Sequence, residues 1–333
     1  MREAASISEI TLTTAIEDNY GMTVKKLTFL PVGADASARV YQSVTNDGTR
    51  YFLKARKGEM NQASLAIPHY LQGKGVAQVV APLATHTQNL WIEQDDFKLI
   101  LYPFVEGSNT TERGMSERQW LELGSTIQKI HATSLTPELS NMLRRETFTP
   151  KWLSVVKTFQ TQLEQQTVAD PLQQQLANIW KDQNKTIQRL VEGAETLGRR
   201  LKESNPPLIL CHADLHTWNV MVDEQNQIWI VDWDETVLAP KERDLMFVIG
   251  GIGKQLVKPE NEAAFLRGYG STSVDAVALA YYRYAWAVDD IGSFAEQILT
   301  LGESEANKQF ALELFQKVFE DGNIVQIALE SRY

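Results

Sequence analysis

Residues 207–234 read PLILCHADLHTWNVMVDEQNQIWIVDWD, and this stretch decides the fold. A short apolar strand leads to Asp214, and Asn219 follows five positions later. Two apolar runs then flank a polar turn, and the second run delivers Asp232. Mg²⁺ prefers oxygen ligands such as carboxylates and amide carbonyls, and a further carboxylate can accept a proton from an attacking hydroxyl. The spacing therefore predicts metal-assisted phosphoryl transfer, with Asp214 as the base and Asn219 and Asp232 as metal ligands.

The order His-x-Asp-Leu-x-x-x-Asn, which begins at His212, is typical of kinase catalytic loops. In kinases a metal-binding aspartate follows at the end of a hairpin, as Asp232 does here. His, Asp and Asn are also frequent turn formers, because their side chains hydrogen-bond to nearby backbone. The loop alone leaves these two interpretations nearly equal. Asp232 and a lysine further upstream favour the kinase interpretation.

That lysine lies among predicted strands near the N-terminus, over 27–30, 39–44 and 51–54. The loop of small residues at 33–38 separates the first two strands and can bring backbone N–H groups close to phosphates. It contains one glycine, so an ordinary hairpin loop is the alternative. Lys54 ends the third strand, where a kinase places the lysine that pairs with the α- and β-phosphates of the nucleotide.

A kinase also places an acidic residue on the following helix to orient this lysine. The helix is predicted here over 59–71, although Pro68 can kink it or end it early. The candidates are Glu59, at its start, and Gln62, one turn later. Gln62 can hydrogen-bond to Lys54 but cannot neutralise its charge, so the sequence leaves the ion pair open.

The strand predicted over 97–102 breaks at Pro103, which has a carbonyl group but no N–H. The Pro103 carbonyl and the Val105 N–H suit a hinge that faces the edge of an adenine ring. An edge strand that ends in a turn is the alternative interpretation.

Beyond residue 107 the sequence predicts mainly helices. Their ranges are 116–131, 150–203 with a break at 170–171, a helix from Pro240, and 275–333; a short helix is also predicted over 6–20. Tyr282, Trp286 and Asp289 share one helix face, and Asp290 lies beside it. Aromatic rings next to carboxylates attract ammonium groups. The alternative is that the rings belong to the core and the acids to a solvated face.

The length of 333 residues suggests two lobes, with the hydrophobic (43%) and charged (22%) content of a soluble globular protein. The net charge of −10, without a dense basic run, argues against a nucleic-acid partner and is compatible with a cationic substrate. Cys211 is the one cysteine, which excludes an internal disulfide and suits a reducing compartment. We found no signal-peptide core and no apolar stretch long enough for a bilayer. A cytoplasmic location without membrane attachment is expected.

HADLHTWNV at 212–220, the following DWD, the strand lysine and YPFVEG at 102–107 resemble the aminoglycoside phosphotransferases, kinase-fold enzymes that act on small molecules. The resemblance covers nearly the whole chain. PKW at 150–152, DWDETVLAPKERDLMF at 232–247 and YYRYAWAVDDI at 281–291 are most similar to the members that act on spectinomycin. These longer stretches are more specific than the catalytic loop, which choline kinases share.

The resemblance implies Asp214 as catalytic base and Asn219 and Asp232 as Mg²⁺ ligands. ATP would be bound by Lys54 at its phosphates, by Ser37 in the phosphate loop, and by the backbone of Pro103 and Val105 at the adenine. Asp244 would brace the catalytic loop. The residues expected to bind the cationic substrate are Asp234, Glu235, Tyr282, Trp286, Asp289 and Asp290.

Two glycines common in that family are replaced here. Ala213 precedes the catalytic aspartate, and Trp218 precedes the metal-binding asparagine. Trp218 can reshape the metal loop or supply an aromatic wall. Neither replacement removes a reacting group.

The expected fold is α+β and bilobal, similar to protein kinases, with a five-stranded antiparallel sheet and a helix in a lobe over 1–104 and a mostly helical lobe over 105–333. The expected activity is ATP-dependent phosphorylation of a hydroxyl on a cationic aminocyclitol, with spectinomycin as the first candidate and antibiotic resistance as the outcome. The alternatives are a metabolite kinase of the choline or homoserine type and an inactive nucleotide-binding protein. The sequence leaves open the oligomeric state and the choice between ATP and GTP.

Overall fold

The structure is a computed structural model that describes residues 7–31, 38–165, 170–299 and 304–333. The chain forms two compact units. The first unit combines Met1–Met115, Thr133–Leu143 and Thr217–Thr236, and the second combines Ser116–Ala132, Arg144–His216 and Val237–Tyr333. Each unit is thus built from three segments. The division expected from the sequence has one boundary, between a lobe over 1–104 and a lobe over 105–333, and it stays a prediction.

The helices, in chain order, are α1 (Glu9–Tyr20), α2 (Ala63–Gly73), α3 (Thr110–Arg113), α4 (Glu117–His131), α5 (Pro137–Met142), α6 (Leu153–Gln165), α7 (Pro171–Ser204), α8 (Glu242–Leu245), α9 (Pro259–Tyr269), α10 (Ala276–Leu299), α11 (Glu305–Lys317) and α12 (Ile324–Leu329). The strands are β1 (Val24–Leu30), β2 (Ala38–Thr45), β3 (Arg50–Lys57), β4 (Ile92–Gln94), β5 (Phe97–Pro103), β6 (Gly107–Asn109), β7 (Arg144–Arg145), β8 (Ile209–Cys211), β9 (Val220–Asp223), β10 (Ile228–Ile230) and β11 (Val237–Ala239). The predicted α+β class is confirmed.

The first unit is built on a five-stranded sheet with the strand order β1-β2-β3-β5-β4. All neighbouring strands are antiparallel, as predicted. Lys54 lies in the middle of β3, because the strand continues to Lys57, and it is paired with Val40 on β2 and Ile100 on β5. Strands on both sides therefore fix the backbone that carries this lysine.

Helix α1 covers one face of this sheet. It is the helix predicted over 6–20, and residue 6 lies outside the described part of the chain. Its Leu12 and Ile16 are fully buried in one apolar cluster with Tyr41, Leu53 and Leu99 of the sheet. Burial of each such side chain stabilises the fold by about 1.5–3 kcal/mol.

Helix α2 begins at Ala63, four residues later than predicted. Asn61 causes the delay, because its side-chain oxygen accepts a hydrogen bond from Ala63 N (3.2 Å) and forms a turn in front of the helix. Gln62 is therefore the exposed residue before the first turn, and Glu59 lies in the preceding loop. The helix continues through Pro68 to Gly73.

A second, three-stranded sheet of the first unit has the order β10-β9-β6. The β9–β10 hairpin is closed by Asp223, which accepts from Gln227 N (2.8 Å) and from Trp229 Nε1 (2.7 Å). On the other side Gly107 of β6 lies so close that an added Cβ would be 2.1 Å from the carbonyl oxygen of Val222. The hairpin that leads to Asp232 is thus held on both sides.

The second unit is mainly helical, and its helices approach one another at glycines. Between α4 and α9, a Cβ on Gly124 would be 2.0 Å from Phe265 O, and one on Gly268 would be 1.9 Å from Leu121 O. Between α7 and α10, Gly193 lies against the ring of Tyr284. Because a side chain would collide at each of these positions, α4 and α9 pack backbone to backbone, and α7 accommodates the Tyr284 ring of α10 at Gly193.

The predicted helices of this unit are present with small changes. The break at 170–171 separates α6 from α7, whose N-terminus is capped by Asp170. Helix α8 begins at Glu242, two residues after the predicted start at Pro240. Within the described residues, no helix combines the length and apolar character needed to cross a bilayer.

Candidate active site

The predicted catalytic loop leaves β8 at Cys211 in the second unit. Strand β8 pairs with β11, with Cys211 opposite Val237. The next turn places Ala213 in the left-handed region at φ +69°. This conformation costs a residue with a Cβ roughly 1–2 kcal/mol, which explains why related loops have glycine there. The turn is maintained by hydrogen bonds from outside the loop.

Those hydrogen bonds come from Asp244 of α8. One carboxylate oxygen accepts from Ala213 N at 2.6 Å, and the other accepts from His212 N at 2.9 Å. The second oxygen also lies 3.0 Å from His131 Nε2, and His131 Nδ1 lies 2.8 Å from the hydroxyl of Tyr269. The arrangement agrees with the bracing role expected for Asp244 and gives buried His131 a structural partner.

Burial alone would raise the pKa of Asp244, but the hydrogen bond and charge of His131 outweigh it, and the backbone donor Ala213 N adds to their effect. The pKa of Asp244 is lowered below its usual value of 3.8. The carboxylate is therefore ionised at neutral pH. Cys211 lies below the same loop with its thiol near the carbonyl oxygens of Ala239 and Pro240, each at 3.6 Å.

Asp214, the predicted base, has a partner that sequence reasoning missed. His216 Nε2 lies 3.3 Å from Asp214 Oδ1. The His216 ring in turn packs edge-on against Phe247 and Trp286, at 6.1 and 6.4 Å between ring centroids. These contacts restrict the His216 ring and, through it, the Asp214 carboxylate. The only sequence signal was the position of His216 two residues after Asp214.

Helix α10 carries the predicted aromatic and acidic face in the second unit, and Tyr282 there differs from expectation. Tyr282 is 1% exposed, and the Arg243 guanidinium lies 5.6 Å from the centres of both the Tyr282 and Trp286 rings. A cation of the protein itself thus occupies the position expected for a substrate ammonium on Tyr282. Tyr282 is a core residue, as the alternative interpretation held, whereas Trp286 is half-buried.

The two acidic residues of α10 are half-buried and have different environments. Asp289 Oδ1 accepts a hydrogen bond from Trp152 N at 2.8 Å, which fixes its orientation. Burial, together with the charges of Asp289 and Asp214, raises the pKa of Asp290 to about 8, against the lowering effect of a hydrogen bond with Trp286. At neutral pH Asp290 is therefore mostly protonated, and the negative charge of this region in the second unit comes from Asp214 and Asp289.

The first unit contains a cavity of about 480 Å³ lined by apolar side chains and a few polar groups. Its wall includes predicted nucleotide-binding residues (Lys54, Pro103 and Val105), predicted metal ligands (Asn219 and Asp232), Asp234, and apolar residues such as Val40, Phe52 and Tyr102. An apolar cavity with a few convergent polar groups is typical of a ligand site. Ser37 lies outside the described residues.

Asn219 and Asp232 reach the same cavity from the two ends of the β9–β10 hairpin. Asn219 is buried, and its backbone carbonyl oxygen accepts a hydrogen bond from Val231 N at 3.0 Å. Asp232 adopts the left-handed conformation at φ +62°. An amide oxygen and a carboxylate on one wall are a donor set that fits Mg²⁺.

Trp218 lines the same cavity and is 49% exposed. An exposed indole on the wall of a ligand cavity agrees with the aromatic wall suggested by the sequence. Glu235, which follows Asp234 in the chain, is half-buried.

Lys54 contacts Asp234, which had been predicted from the sequence to bind the cationic substrate. Its Nζ lies 2.8 Å from Asp234 Oδ2, and Arg56 Nη1 lies 3.1 Å from the same oxygen. Among the described residues, no hydrogen bond or ion pair joins the side chain of Glu59 or of Gln62 to Lys54. The ion pair that the sequence left open is therefore made by Asp234, because α2 begins too late to present an acid.

The first unit combines an antiparallel sheet, a central lysine and an apolar cavity with oxygen ligands, and the second carries a braced His-Ala-Asp loop. Together they define a phosphotransferase with a kinase-like fold. The model of the phosphotransferase enzyme family matches residues 28–284. Comparison with curated protein sequences gave no match.

Two solved structures of spectinomycin phosphotransferase, APH(9)-Ia, resemble the whole chain. The complex with ADP and spectinomycin has 32% sequence identity and a TM-score of 0.89, with 98% of this chain and 99% of that chain covered. The AMP-bound complex has 30% identity and a TM-score of 0.86, with coverages of 98% and 100%. A choline kinase from Streptococcus pneumoniae shares the fold alone, at 15% identity and a TM-score of 0.55, with 93% of this chain and 98% of that chain covered.

This chain belongs to the phosphotransferase enzyme family, as an aminoglycoside phosphotransferase with a kinase-like fold. It is an ATP-dependent kinase of small molecules.

Proposed function

We propose that this enzyme transfers the γ-phosphoryl group of ATP to a hydroxyl of spectinomycin, a dicationic aminocyclitol, and thereby confers resistance to it. The observation that carries the proposal is 32% identity across 99% of a protein whose structure holds ADP and spectinomycin. The single, buried cysteine and the need for ATP are in keeping with a cytoplasmic enzyme.

The nucleotide occupies the cavity of the first unit. The carbonyl group of Pro103 and the N–H of Val105 meet the adenine edge, and the apolar cavity wall covers the ring. Lys54 meets the α- and β-phosphates, and Ser37 is proposed as a further contact to them. A cation on the phosphates favours transfer, because negative charge develops on the phosphoryl oxygens during the reaction.

Asn219 and Asp232 would hold Mg²⁺ beside the phosphates. When bound, the ion neutralises phosphate charge and orients the γ-phosphoryl group. The left-handed backbone at Asp232 and the buried position of Asn219 determine where these two residues join the cavity wall.

Asp214 accepts the proton of the attacking hydroxyl. The contact with His216 at 3.3 Å holds the carboxylate, and Asp244 holds the backbone that precedes it. General-base catalysis contributes about 10²–10⁴-fold, and correct positioning of the hydroxyl adds to it. The residues supporting Asp214 therefore act on kcat without touching the substrate.

The acceptor is a cation because the residues near Asp214 are acidic. Asp289 supplies charge to the ammonium groups, Asp290, which is mostly protonated near pH 7, supplies a hydrogen-bond acceptor, and the half-buried Trp286 supplies a ring face. Tyr282 supports this region from the core, through Arg243. Glu235 adds a negative charge that attracts a dication, whereas the charge of Asp234, which had also been expected to bind the substrate, is compensated by Lys54 and Arg56.

A substrate panel tests the proposal. The purified enzyme is incubated with ATP and Mg²⁺, and ADP release is followed with spectinomycin, choline and homoserine as acceptors. We expect turnover on spectinomycin alone, with one phosphate added as seen by mass spectrometry. Asp214→Asn is the control for ADP release that does not depend on the site. Turnover on choline or homoserine without turnover on spectinomycin would overturn the proposal and leave a metabolite kinase.

A further inference from the structure

Two cations of β3 meet a single carboxylate oxygen in the first unit. Lys54 and Arg56 are two positions apart and therefore point to the same face of the strand. Both contact Asp234 Oδ2, at 2.8 and 3.1 Å. The side chain of Lys54 is 15% exposed, that of Arg56 is 23% exposed and that of Asp234 is 29% exposed, so all three are largely withdrawn from water.

Helix α2, which follows β3, offers no alternative to Asp234. Its sequence, ASLAIPHYLQG, contains neither Asp nor Glu. Gln62, just before the helix, is uncharged and exposed, and Glu59 is exposed in the preceding loop. A carboxylate that orients Lys54 therefore does not come from α2.

Asp234 is also fixed in its own position. Asn61, the residue that delays the start of α2, donates a hydrogen bond from Nδ2 to the backbone oxygen of Asp234 at 3.4 Å. Asp234 follows the proposed metal ligand Asp232 by two residues, and both line the cavity. One short segment thus carries a metal ligand and the acid that holds Lys54.

We propose that Asp234 is the positioning residue for Lys54 and Arg56 and holds both cations toward the nucleotide phosphates. The inference rests on the proposed role of Lys54 and is independent of which acceptor the enzyme uses. An ammonium group has three N–H donors and a guanidinium has five, so a carboxylate can hold each of them while other donors meet phosphate oxygens. Asp234 therefore orients the cations without competing with ATP.

The test measures nucleotide affinity with no acceptor present. A result that contradicts the inference is therefore distinguishable from a wrong assignment of spectinomycin as the acceptor. The affinities of wild type and Asp234→Asn for ADP and for a non-hydrolysable ATP analogue are compared by calorimetry, with Mg²⁺ and with EDTA. We expect the Kd of Asp234→Asn to rise about tenfold in both conditions, because a charged hydrogen bond that orders Lys54 is lost. Glu59→Gln removes the same charge from an exposed position and should bind nucleotide like wild type.

Two further variants separate positioning from a general structural effect. Asp234→Glu keeps the carboxylate and should recover most of the affinity. In a Lys54→Met background, Asp234→Asn should change nucleotide affinity far less than in wild type, because the residue it positions at the phosphates is gone. A purely structural effect would persist in that background.

Four results would overturn the inference. Tighter nucleotide binding by Asp234→Asn would make Asp234 a competitor of the phosphates. A loss seen only with Mg²⁺ would make it part of the metal site. Unchanged nucleotide affinity with a raised KM for the acceptor would assign it to the acceptor, and a full effect in the Lys54→Met background would make it structural.

Discussion

Asp244→Asn tests the brace beneath the catalytic loop most directly, because the change keeps the size of the side chain and removes its charge. The carboxylate accepts hydrogen bonds from His212 N at 2.9 Å, Ala213 N at 2.6 Å and His131 Nε2 at 3.0 Å. An amide has one oxygen and one NH₂ group, so at least one of these three donors would face another donor. The site is fully buried, and water cannot replace the lost acceptor.

The expected loss follows from these contacts. A hydrogen bond to a charged group contributes about 1.5–3 kcal/mol, and a single unsatisfied buried donor costs about 1–3 kcal/mol. We expect Asp244→Asn to lower the free energy of unfolding of the second unit by about 3–5 kcal/mol. For a unit of this size that corresponds to a drop in Tm of roughly 6–20 °C.

Scanning calorimetry and urea unfolding at pH 7 measure this loss, with Asp182→Asn, an exposed aspartate of α7, as the matched control. Because the native pKa of Asp244 lies below its usual 3.8, its contribution is complete above pH 4 and declines as the pH falls through the lower native value. The difference between wild type and Asp244→Asn should therefore shrink on acidification. Equal melting of Asp244→Asn and Asp182→Asn at pH 7 would refute the argument.

Three other substitutions address single roles in the site. Asp214→Asn should lower kcat by about 10²–10⁴-fold and leave nucleotide affinity unchanged, and a variant that keeps more than about a tenth of the activity would exclude Asp214 as the base. Asp232→Asn should abolish the gain in nucleotide affinity that Mg²⁺ gives, with no change in EDTA; calorimetry that finds the gain intact would remove Asp232 from the metal site. Asp290 has its pKa raised to about 8, so the folded state holds a proton that the unfolded state releases, and stability falls as the pH rises from about 4 to 8. Asp290→Asn lacks this proton, so its Tm should exceed that of wild type by a margin that widens over this range and is constant above it; a margin independent of pH would contradict the assignment.

The sequence predicted best what depends on short stretches of chain. The spacing of Asp214, Asn219 and Asp232 follows from one loop and one hairpin, and a short apolar run marks the strand that carries Lys54. Capping residues and proline likewise locate helix ends, as at Asp170. These features depend on local backbone chemistry, so one segment at a time is enough to recognise them.

Contacts between distant residues could not be read in the same way. The acid that holds Lys54 is 180 positions away, whereas the sequence placed the candidates, Glu59 and Gln62, on the next helix. These two residues lie before α2, because the Asn61 turn delays its start. Arg243 and Tyr282 likewise meet only after folding, so the sequence could not decide between a substrate-binding aromatic face and a core position for Tyr282. The roles of the individual substrate-binding residues remain predictions.

Cys211 lies beneath the catalytic loop, and its position makes the chain convenient for site-directed labelling. Thiol reagents attack the thiolate, and burial together with the charge of Asp244 raises the pKa of Cys211 well above its usual value. A maleimide dye should therefore leave the native protein unlabelled at neutral pH and react only with a cysteine introduced at an exposed position. Fluorescent or spin labels can thus be attached to each unit in turn with the native cysteine in place.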